Sequence, residues 1–383
     1  MQLLLQQMTG WEHIVGKGSK KALSAIERCR TASLGYHAYR CSDSDCGAMH
    51  YQYHSCRNRH CPNCGNSKKQ QWIEQRIQEL LPVKYYHIVF TLPHQLGGII
   101  MGNRKALFDL LFQAASYTLL KFGRDEQYLG AQLGMIAVLH SWGQQLSFHP
   151  HVHCIVSGGG VTKDNKWKEA LKAKQGILFP VPALRQVYRT CFLEQLQKLL
   201  DAGTVKLSNE QASEWHSLRS ELYNTEWIVY AKEPFGGPAQ VVEYLGRYTH
   251  KVAISNHRIK AVDEHCNVTF EYKDYSDADK KKVMTLEGKE FLRRFEQHIL
   301  PKGFVKMRSY GYLGNYKRKQ WINELLKARN LPVHAPLIQV PIVVRMLETY
   351  GVDITLCPCC KKARLQLLYV CSVSGAKKQV LKE

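Results

Sequence analysis

The stretch "FHPHVHCIVSGGG", residues 148–160, carries histidines at every second position, followed by an apolar run and three glycines. Alternate side chains share one face of a β-strand, so His149, His151 and His153 would point the same way. Residues two apart lie about 6.6 Å from each other along a strand, which lets two imidazoles reach one cation. The three histidines together span about 13 Å, and Pro150 bends or ends a strand. The stretch therefore predicts a metal-binding pair, His151 and His153, with His149 outside it.

The third ligand of such a pair would come from another segment. "HSWGQQL", residues 140–146, precedes the histidine stretch and is expected to run antiparallel beside it. Gln144 is the preferred candidate, and His140, Gln145 and His149 are alternatives. A histidine pair that is exposed or satisfied by hydrogen bonds, with no metal, is the competing interpretation. The apolar residues after the histidines are expected to enter the core, and the glycines are expected to end the strand in a flexible turn.

A second segment carries two tyrosines at helical spacing. "EYLGRYTHK", residues 243–251, follows a Gly-Gly-Pro break and is predicted to be helical. Tyr244 and Tyr248 stand at i and i+4, on one face of that helix. Arg247 and Lys251 give the helix a basic character that suits phosphate. Tyrosines packed for purely structural reasons would produce the same spacing.

Metal-binding histidines and paired tyrosines together indicate phosphodiester transesterification. A phenol with a pKa of about 10 is a weak nucleophile at neutral pH. A cation on the scissile phosphate lowers the barrier because it neutralises the charge that develops there. The energy of the broken bond is kept in a phosphotyrosine linkage, so the strand can be rejoined later. Two tyrosines on one face could hold two cleaved ends in turn.

Cysteines crowd the first part of the chain. Six of the 13 fall between residues 29 and 64, and no export signal is recognised, which favours zinc over disulfides. Two pairs at Cys-x4-Cys and Cys-x2-Cys spacing predict one tetrahedral zinc site, formed by Cys41, Cys46, Cys61 and Cys64. A second zinc site is expected from Cys29, His37, Cys56 and His60, with His50 and His54 as competing ligands. Reduced, buried cysteines are the alternative to zinc, and the module could be purely structural or could grip DNA.

Two more cysteines have zinc-knuckle spacing near the end of the sequence. Cys357 and Cys360 lie in "LCPCCKKARL", with Cys359 between them. Only Cys371 follows, so a complete four-cysteine site there would need ligands from elsewhere.

The chain is strongly basic, with a formal net charge of +21 and a pI of about 9.4. Such a charge indicates a polyanionic partner, most often nucleic acid. The tract at 302–320 interleaves basic and aromatic residues, a mixture that suits single-stranded DNA because phosphates meet the charges and bases stack on the rings. The expected DNA contacts here are Lys306, Arg308, Lys317 and Arg318. A charged surface with aromatic core residues is the alternative interpretation.

Three ordered motifs resemble those of the HUH (histidine-hydrophobic-histidine) nuclease superfamily. They are "FTLP" at residues 90–93, "HVHCIV" at 151–156 and "YLGRYTHK" at 244–251. From about residue 29 to 320 the chain resembles the rolling-circle insertion-sequence transposases of the IS-ninety-one type. The stretches "SCRNRHCPNCG" and "LPKGFVKMRSYGYLGN" also carry this resemblance.

The resemblance implies a zinc-binding domain followed by an HUH single-strand endonuclease domain. It implies that Tyr244 and Tyr248 are nucleophiles, and that His151 and His153 hold Mg²⁺ or Mn²⁺. Imidazole is a softer ligand than Mg²⁺ prefers, so Mn²⁺ suits the site better. Some relatives carry only one of the two tyrosines. If one alone acts here, Tyr248 is preferred, because Lys251 follows it closely.

Alternating strands and helices predict an α+β fold in which helices flank a central antiparallel sheet. The expected domains are a zinc-binding domain at 1–82, an HUH endonuclease domain at 83–275 and a basic C-terminal region at 276–383. The expected function is a transposase that nicks and rejoins single-stranded DNA at transposon ends and in target DNA. The alternatives are a plasmid replication initiator or relaxase, and a non-catalytic zinc-dependent DNA-binding regulator. No apolar run approaches the about 20 residues of a membrane span, so a cytoplasmic protein is expected.

Overall fold

The computed structural model describes residues 1–64, 73, 75–170, 177–235, 237–249, 253–275, 277–314, 318–334 and 340–380. For residues 232–234, 239, 242, 245 and 247–249 the description is limited to the backbone. Along the described residues, antiparallel strands alternate with helices and form three sheets. The predicted α+β class, with a central antiparallel sheet flanked by helices, is confirmed.

The strands are β1 (Tyr36–Cys41), β2 (Met49–Tyr53), β3 (Tyr85–Thr91), β4 (Gln132–Trp142), β5 (Phe148–Val161), β6 (Trp167–Glu169), β7 (Val229–Phe235), β8 (Ile259–Val262), β9 (Val268–Asp274), β10 (Lys280–Leu286), β11 (Met307–Gly311), β12 (Leu365–Cys371) and β13 (Lys377–Gln379). The helices are α1 (Gln2–Gln7), α2 (Lys17–Glu27), α3 (Gly97–Gly102), α4 (Arg104–Arg124), α5 (Val181–Asp201), α6 (Asn209–Asn224), α7 (Pro238–Thr249), α8 (Gly288–Glu296), α9 (Arg318–Ala328) and α10 (Ile342–Tyr350). None of these helices is both long and apolar enough to cross a lipid bilayer.

The central sheet has the strand order β11–β4–β5–β3–β7, and β6 pairs with the far end of β5. Helices α4 and α5 pack on one face, where Phe90, Val152 and Cys154 are buried. The opposite face buries Ile155 together with Val241 of α7 and residues of α9. Apolar residues therefore cover both faces of the sheet, and the histidine-bearing strand β5 lies in its middle.

Two smaller sheets complete the described fold. The N-terminal sheet has the order β13–β12–β1–β2, so strands from both ends of the chain share it. The third sheet, β10–β9–β8, builds a core with helices α1, α2 and α8. The described residues of the basic C-terminal region, 276–383, contribute strands to all three sheets.

The glycines of the histidine stretch lie inside β5, which continues beyond them. A Cβ at Gly159 would stand 2.6 Å from the carbonyl oxygen of Lys168 on β6 and would overlap the ring of Trp167. A Cβ at Gly160 would stand 2.9 Å from the backbone of Gln132 on β4. The expected flexible turn is therefore wrong. The glycines let the neighbouring strands approach β5 closely.

Candidate active site and cysteine clusters

Three imidazoles meet on one face of the central sheet. The antiparallel register of β4 and β5 sets His140 directly opposite His151, and His153 follows on the same face of β5. The ligand nitrogens of the three side chains all lie within 4.8 Å of one another. This separation is small enough for the three histidines to share one cation after minor side-chain adjustment.

Gln144, the preferred third ligand in the sequence analysis, lies outside this group. Its amide nitrogen donates a hydrogen bond to the hydroxyl of Tyr275 at 2.9 Å. The reason is the register: the last β4–β5 pair joins Trp142 to Phe148, and residue 144 lies in the turn beyond it. His140, one of the alternatives, is the side chain that the structure brings to the histidine pair.

Hydrogen bonds at Nδ1 orient His151 and His153 of β5. His151 Nδ1 lies 2.6 Å from the carbonyl oxygen of His149, and His153 Nδ1 lies 2.8 Å from Nε2 of His87. A carbonyl oxygen can only accept, so Nδ1 of His151 donates and its Nε2 keeps a lone pair for a metal. Burial lowers the pKa of His151 to about 4, so this imidazole is neutral at pH 7.

Helix α7 brings one of the two predicted tyrosines to this group. The hydroxyl of Tyr244 lies 3.1 Å from Nε2 of His87 and 3.2 Å from Nδ1 of His153. The tyrosine ring packs against Phe235 of β7, with 5.2 Å between the ring centroids. Tyr244 therefore contacts the side of His153 that faces away from a metal bound at Nε2.

The other residues predicted on this segment are described only in part. Arg247 and Tyr248 belong to α7, but their side chains lie outside the described residues. Lys251 lies outside them entirely. Tyr248 follows Tyr244 by one helical turn along the backbone of α7.

His87 is a functional candidate that the sequence analysis did not single out. It is buried in the middle of β3, opposite Ile155 of β5. Its ring stacks on that of His153 at 5.0 Å between centroids and 7° between planes. Within "KYYHIVFTLP" a single histidine resembles an ordinary core position. His87 becomes a functional candidate because the pairing of β3 with β5 places it beside His153, and the local sequence does not reveal that pairing.

Eight of the 13 described cysteines form two groups of four that differ from the predicted sets. The first group is Cys29, Cys56, Cys61 and Cys64, and the second is Cys41, Cys46, Cys357 and Cys360. In the first group the sulfur of Cys64 lies 3.4 Å from that of Cys29 and 3.6 Å from that of Cys56. In each group the four sulfur atoms lie within 4.8 Å of one another.

The predicted grouping of Cys41 and Cys46 with Cys61 and Cys64 is therefore wrong, because β1 pairs with β12 and brings the C-terminal cysteines to Cys41. The predicted imidazole ligands also take other partners. His37 Nδ1 lies 3.0 Å from Nε2 of His54, and His60 Nε2 accepts from Arg59 at 3.3 Å.

Two of the basic residues predicted to contact DNA are held in ion pairs within the protein. Arg308 pairs with Asp109, and Arg318 pairs with Glu79 at 2.9 Å. Lys317 lies outside the described residues. DNA contact by these residues stays a prediction, and both described arginines already have carboxylate partners within the protein.

Lys306 also lies against the protein. Its ammonium group stands 4.7 Å from the centroid of the Trp142 ring, a cation–π contact. Burial, and then the nearby guanidinium of Arg59, lowers the pKa of Lys306 to about 7.

Among solved structures, the chain is similar to a conjugative relaxase, TrwC, in complex with oriT DNA in a metal-free form. The two are 13% identical in sequence, and the match covers 43% of this chain and 71% of that chain with a TM-score of 0.25.

Two family models match separate regions of the protein. A family model described as "Transposase zinc-binding domain" matches residues 4–92, and one described as "Putative transposase" matches residues 134–320. "Putative transposase y4qJ" of Sinorhizobium fredii is 40% identical over 355 residues, which are 90% of this chain and 88% of that protein. The "Transposase for insertion sequence element IS801" of Pseudomonas savastanoi pv. phaseolicola is 27% identical over 380 residues, 97% of this chain and 89% of that protein. The chain belongs to the family of insertion-sequence transposases of the IS-ninety-one type, and its N-terminal part is the zinc-binding domain of that family.

Proposed function

We propose that this transposase nicks and rejoins single-stranded DNA at the ends of its element and in its target, through a covalent phosphotyrosine linkage. The observation that carries the proposal is the position of Tyr244. Its hydroxyl lies 3.1 Å from His87 and 3.2 Å from His153, and His153 belongs to the group of three imidazoles. Transesterification at phosphorus needs a nucleophile close to a cation, and the Tyr244 hydroxyl lies one imidazole ring away from the Nε2 of His153 that would bind it.

His140, His151 and His153 would hold the catalytic cation, Mn²⁺ or Mg²⁺. Imidazole ligands favour Mn²⁺ of the two. Three ligands from two paired strands form a rigid set that leaves further coordination positions for phosphate oxygens. When bound, the cation supplies neutralisation of the charge that develops on the scissile phosphate.

The hydrogen bonds support His87 as the proton acceptor for Tyr244. If His153 binds the cation through Nε2, its Nδ1 carries the proton. That N–H faces Nε2 of His87 at 2.8 Å, so Nε2 of His87 must hold a lone pair. The same nitrogen lies 3.1 Å from the hydroxyl of Tyr244, within the range of a general base, and its one lone pair takes the phenol proton once the His153 N–H turns away from it.

In the proposed step, the oxygen of Tyr244 bonds to phosphorus while the bond from phosphorus to the 3′ oxygen breaks. The phenol proton passes to His87, and the departing 3′ oxygen takes up a proton from water to become a free hydroxyl. Attack of a 3′ hydroxyl on the phosphotyrosine reverses the step and rejoins a strand. Tyr248 would attack the phosphorus of a second strand in the same way. Arg247 and Lys251 would contact phosphate. If only one tyrosine acts as the nucleophile, the sequence favours Tyr248.

The experiment measures the covalent adduct between the purified protein and single-stranded oligonucleotides from the element ends in Mn²⁺, by denaturing gel. We expect an adduct with the parent protein. We expect no adduct after replacement of both tyrosines, Tyr244→Phe with Tyr248→Phe, and the two single variants assign the nucleophile. Tyr117→Phe is the matched control, because Tyr117 is exposed on α4, which packs on the face of the sheet opposite to the histidines.

Three outcomes distinguish the alternatives. DNA binding without any adduct from the parent protein would support a non-catalytic regulator. An adduct that forms with a plasmid origin and not with the element ends would support a replication initiator or relaxase. Undiminished cleavage by the double variant His151→Ala with His153→Ala would reject the proposed metal site.

A further inference from the structure

The second cysteine group joins residues that are more than 300 positions apart in the sequence. Cys41 ends β1 and Cys46 lies in the turn between β1 and β2, whereas Cys357 and Cys360 come from the turn before β12. We propose that these four cysteines, here called the terminal clasp, bind a Zn²⁺ ion that fastens the C-terminal hairpin to the zinc-binding domain. The matched zinc-binding family region ends at residue 92 and contains only half of the clasp.

The sulfur positions fit a tetrahedral zinc ion. The sulfur of Cys41 lies 3.7 Å from that of Cys360, and the sulfur of Cys46 lies 3.8 Å from that of Cys357. Four thiolates at about 2.3 Å from one zinc ion stand about 3.8 Å from one another, so these separations match the edges of that tetrahedron. A disulfide would bring two sulfur atoms to about 2 Å, and all the described cysteines are free.

The backbone presents each cysteine pair on a tight turn. Gly47 has φ 52° just after Cys46, and its N–H donates to the carbonyl of Asp43 at 2.9 Å. On the other side, the N–H of Lys361 donates to the carbonyl of Cys357 at 2.8 Å, and Lys361 has φ 58°. Such turns aim two sulfurs at one point, which is the local geometry of a zinc knuckle.

Strand pairing holds the two turns side by side. β1 pairs with β12, and Cys41 stands opposite Leu365 in that register. The N–H of Ser42 continues the ladder by donating to the carbonyl of Arg364 at 2.9 Å. Burial of Cys41 and Cys357 keeps water from two of the four sulfurs. The clasp is therefore preformed by the fold and needs only the ion.

One other set of donors competes for a metal at this place. His50 Nε2 lies 3.6 Å from the sulfur of Cys357, and His50, Cys357 and Cys359 also form a compact group. That set has three members and includes the exposed Cys359. The four-cysteine set supplies a complete tetrahedron, which structural zinc sites require.

The test measures the zinc content of the full-length protein by atomic absorption. We expect about two zinc ions per chain, one in each cysteine group, and about one after the paired replacement Cys357→Ser with Cys360→Ser. Cys359→Ser is the matched control, because it lies between the two ligands, and it should keep the full zinc content. Unchanged zinc content in the paired variant would overturn the proposal, and so would loss of zinc in both Cys359→Ser and His50→Ala.

A second measurement needs no variant and so does not depend on how the paired variant folds. The parent protein is alkylated before and after removal of zinc with a chelator, and the modified cysteines are located by mass spectrometry. We expect Cys357 and Cys360 to react only after chelation, whereas Cys359 reacts in both samples. Equal reactivity of all three before chelation would contradict the clasp.

Discussion

At the scale of single residues, the candidate site depends on which side chain each histidine contacts. The alternation in "HPHVH" is local, so the pair His151 and His153 could be predicted from the sequence. The third imidazole and the partner of Tyr244 could not, because His140 and His87 reach the site through strand pairing. A buried histidine in a strand has no local signature that separates a structural role from a functional one.

The first prediction concerns His87. Replacement by alanine removes the hydrogen-bond partner of His153 and Tyr244, and we expect the rate of covalent adduct formation to fall by about 10–100-fold. His87→Gln keeps a hydrogen-bonding group at this position and should recover part of the rate. The measurement is a single-turnover adduct assay across a pH series, in which loss of a general base raises the pH needed for reaction. An alanine variant with the parent's rate and pH profile would show that His87 takes no part.

At the scale of secondary-structure elements, β5 carries most of the sequence signal and one misleading feature. Its alternation of half-exposed and buried residues follows the predicted faces. The proline and glycines suggested a short strand with a turn after it, yet β5 spans Phe148–Val161. Glycine in a turn and glycine under a crossing strand look alike in a sequence, and only the position of β6 separates them.

The second prediction belongs to this element. Gly159→Ala puts a methyl group against Trp167 and the carbonyl oxygen of Lys168, so β6 must move or β5 must bend. We expect a loss of about 1–3 kcal/mol in the free energy of unfolding, measured by chemical denaturation. Gly18→Ala in α2 is the control, since a Cβ there meets nothing within 4 Å, and it should be neutral or slightly stabilising. A neutral result at Gly159 would mean that β6 does not pack as described.

At the scale of the whole molecule, contacts from the C-terminal third hold the zinc-binding domain against the central sheet. Arg59 donates hydrogen bonds to the carbonyl oxygens of Phe304 at 2.6 Å and Pro301 at 3.0 Å. Lys306 lies close by, above Trp142 of β4. Two cations thus share a partly buried interface, and this arrangement penalises the charged form of the lysine.

The third prediction follows from the pKa of Lys306. An unfolded lysine has a pKa of about 10.4, and the folded value is about 7, so the folded state disfavours the proton. The loss of folding stability caused by this lysine is greatest below pH 7 and decreases as the pH rises from 7 to about 10.4. We expect Lys306→Met to raise the free energy of unfolding by about 2–4 kcal/mol at pH 7, as measured by chemical denaturation. This difference from the parent protein should shrink toward pH 10. Lys302→Met, at an exposed position, is the control, and a pH-independent gain would contradict this explanation.

The sequence by itself determined the histidine pair, the spacing of the tyrosines and the presence of zinc ligands, because each of these follows from residues close together in the chain. It also determined the fold class and the transposase family, because these follow from the order of motifs and elements along the chain. Only the tertiary structure decided that His140 completes the imidazole group, that His87 contacts Tyr244, and that the cysteines divide as they do. Those contacts join segments that are distant in sequence, and the register of β3 and β4 with β5, and of β1 with β12, creates them. Spacing within a segment carries no information about which strand will lie beside it, so these partners emerge only when the sheets assemble.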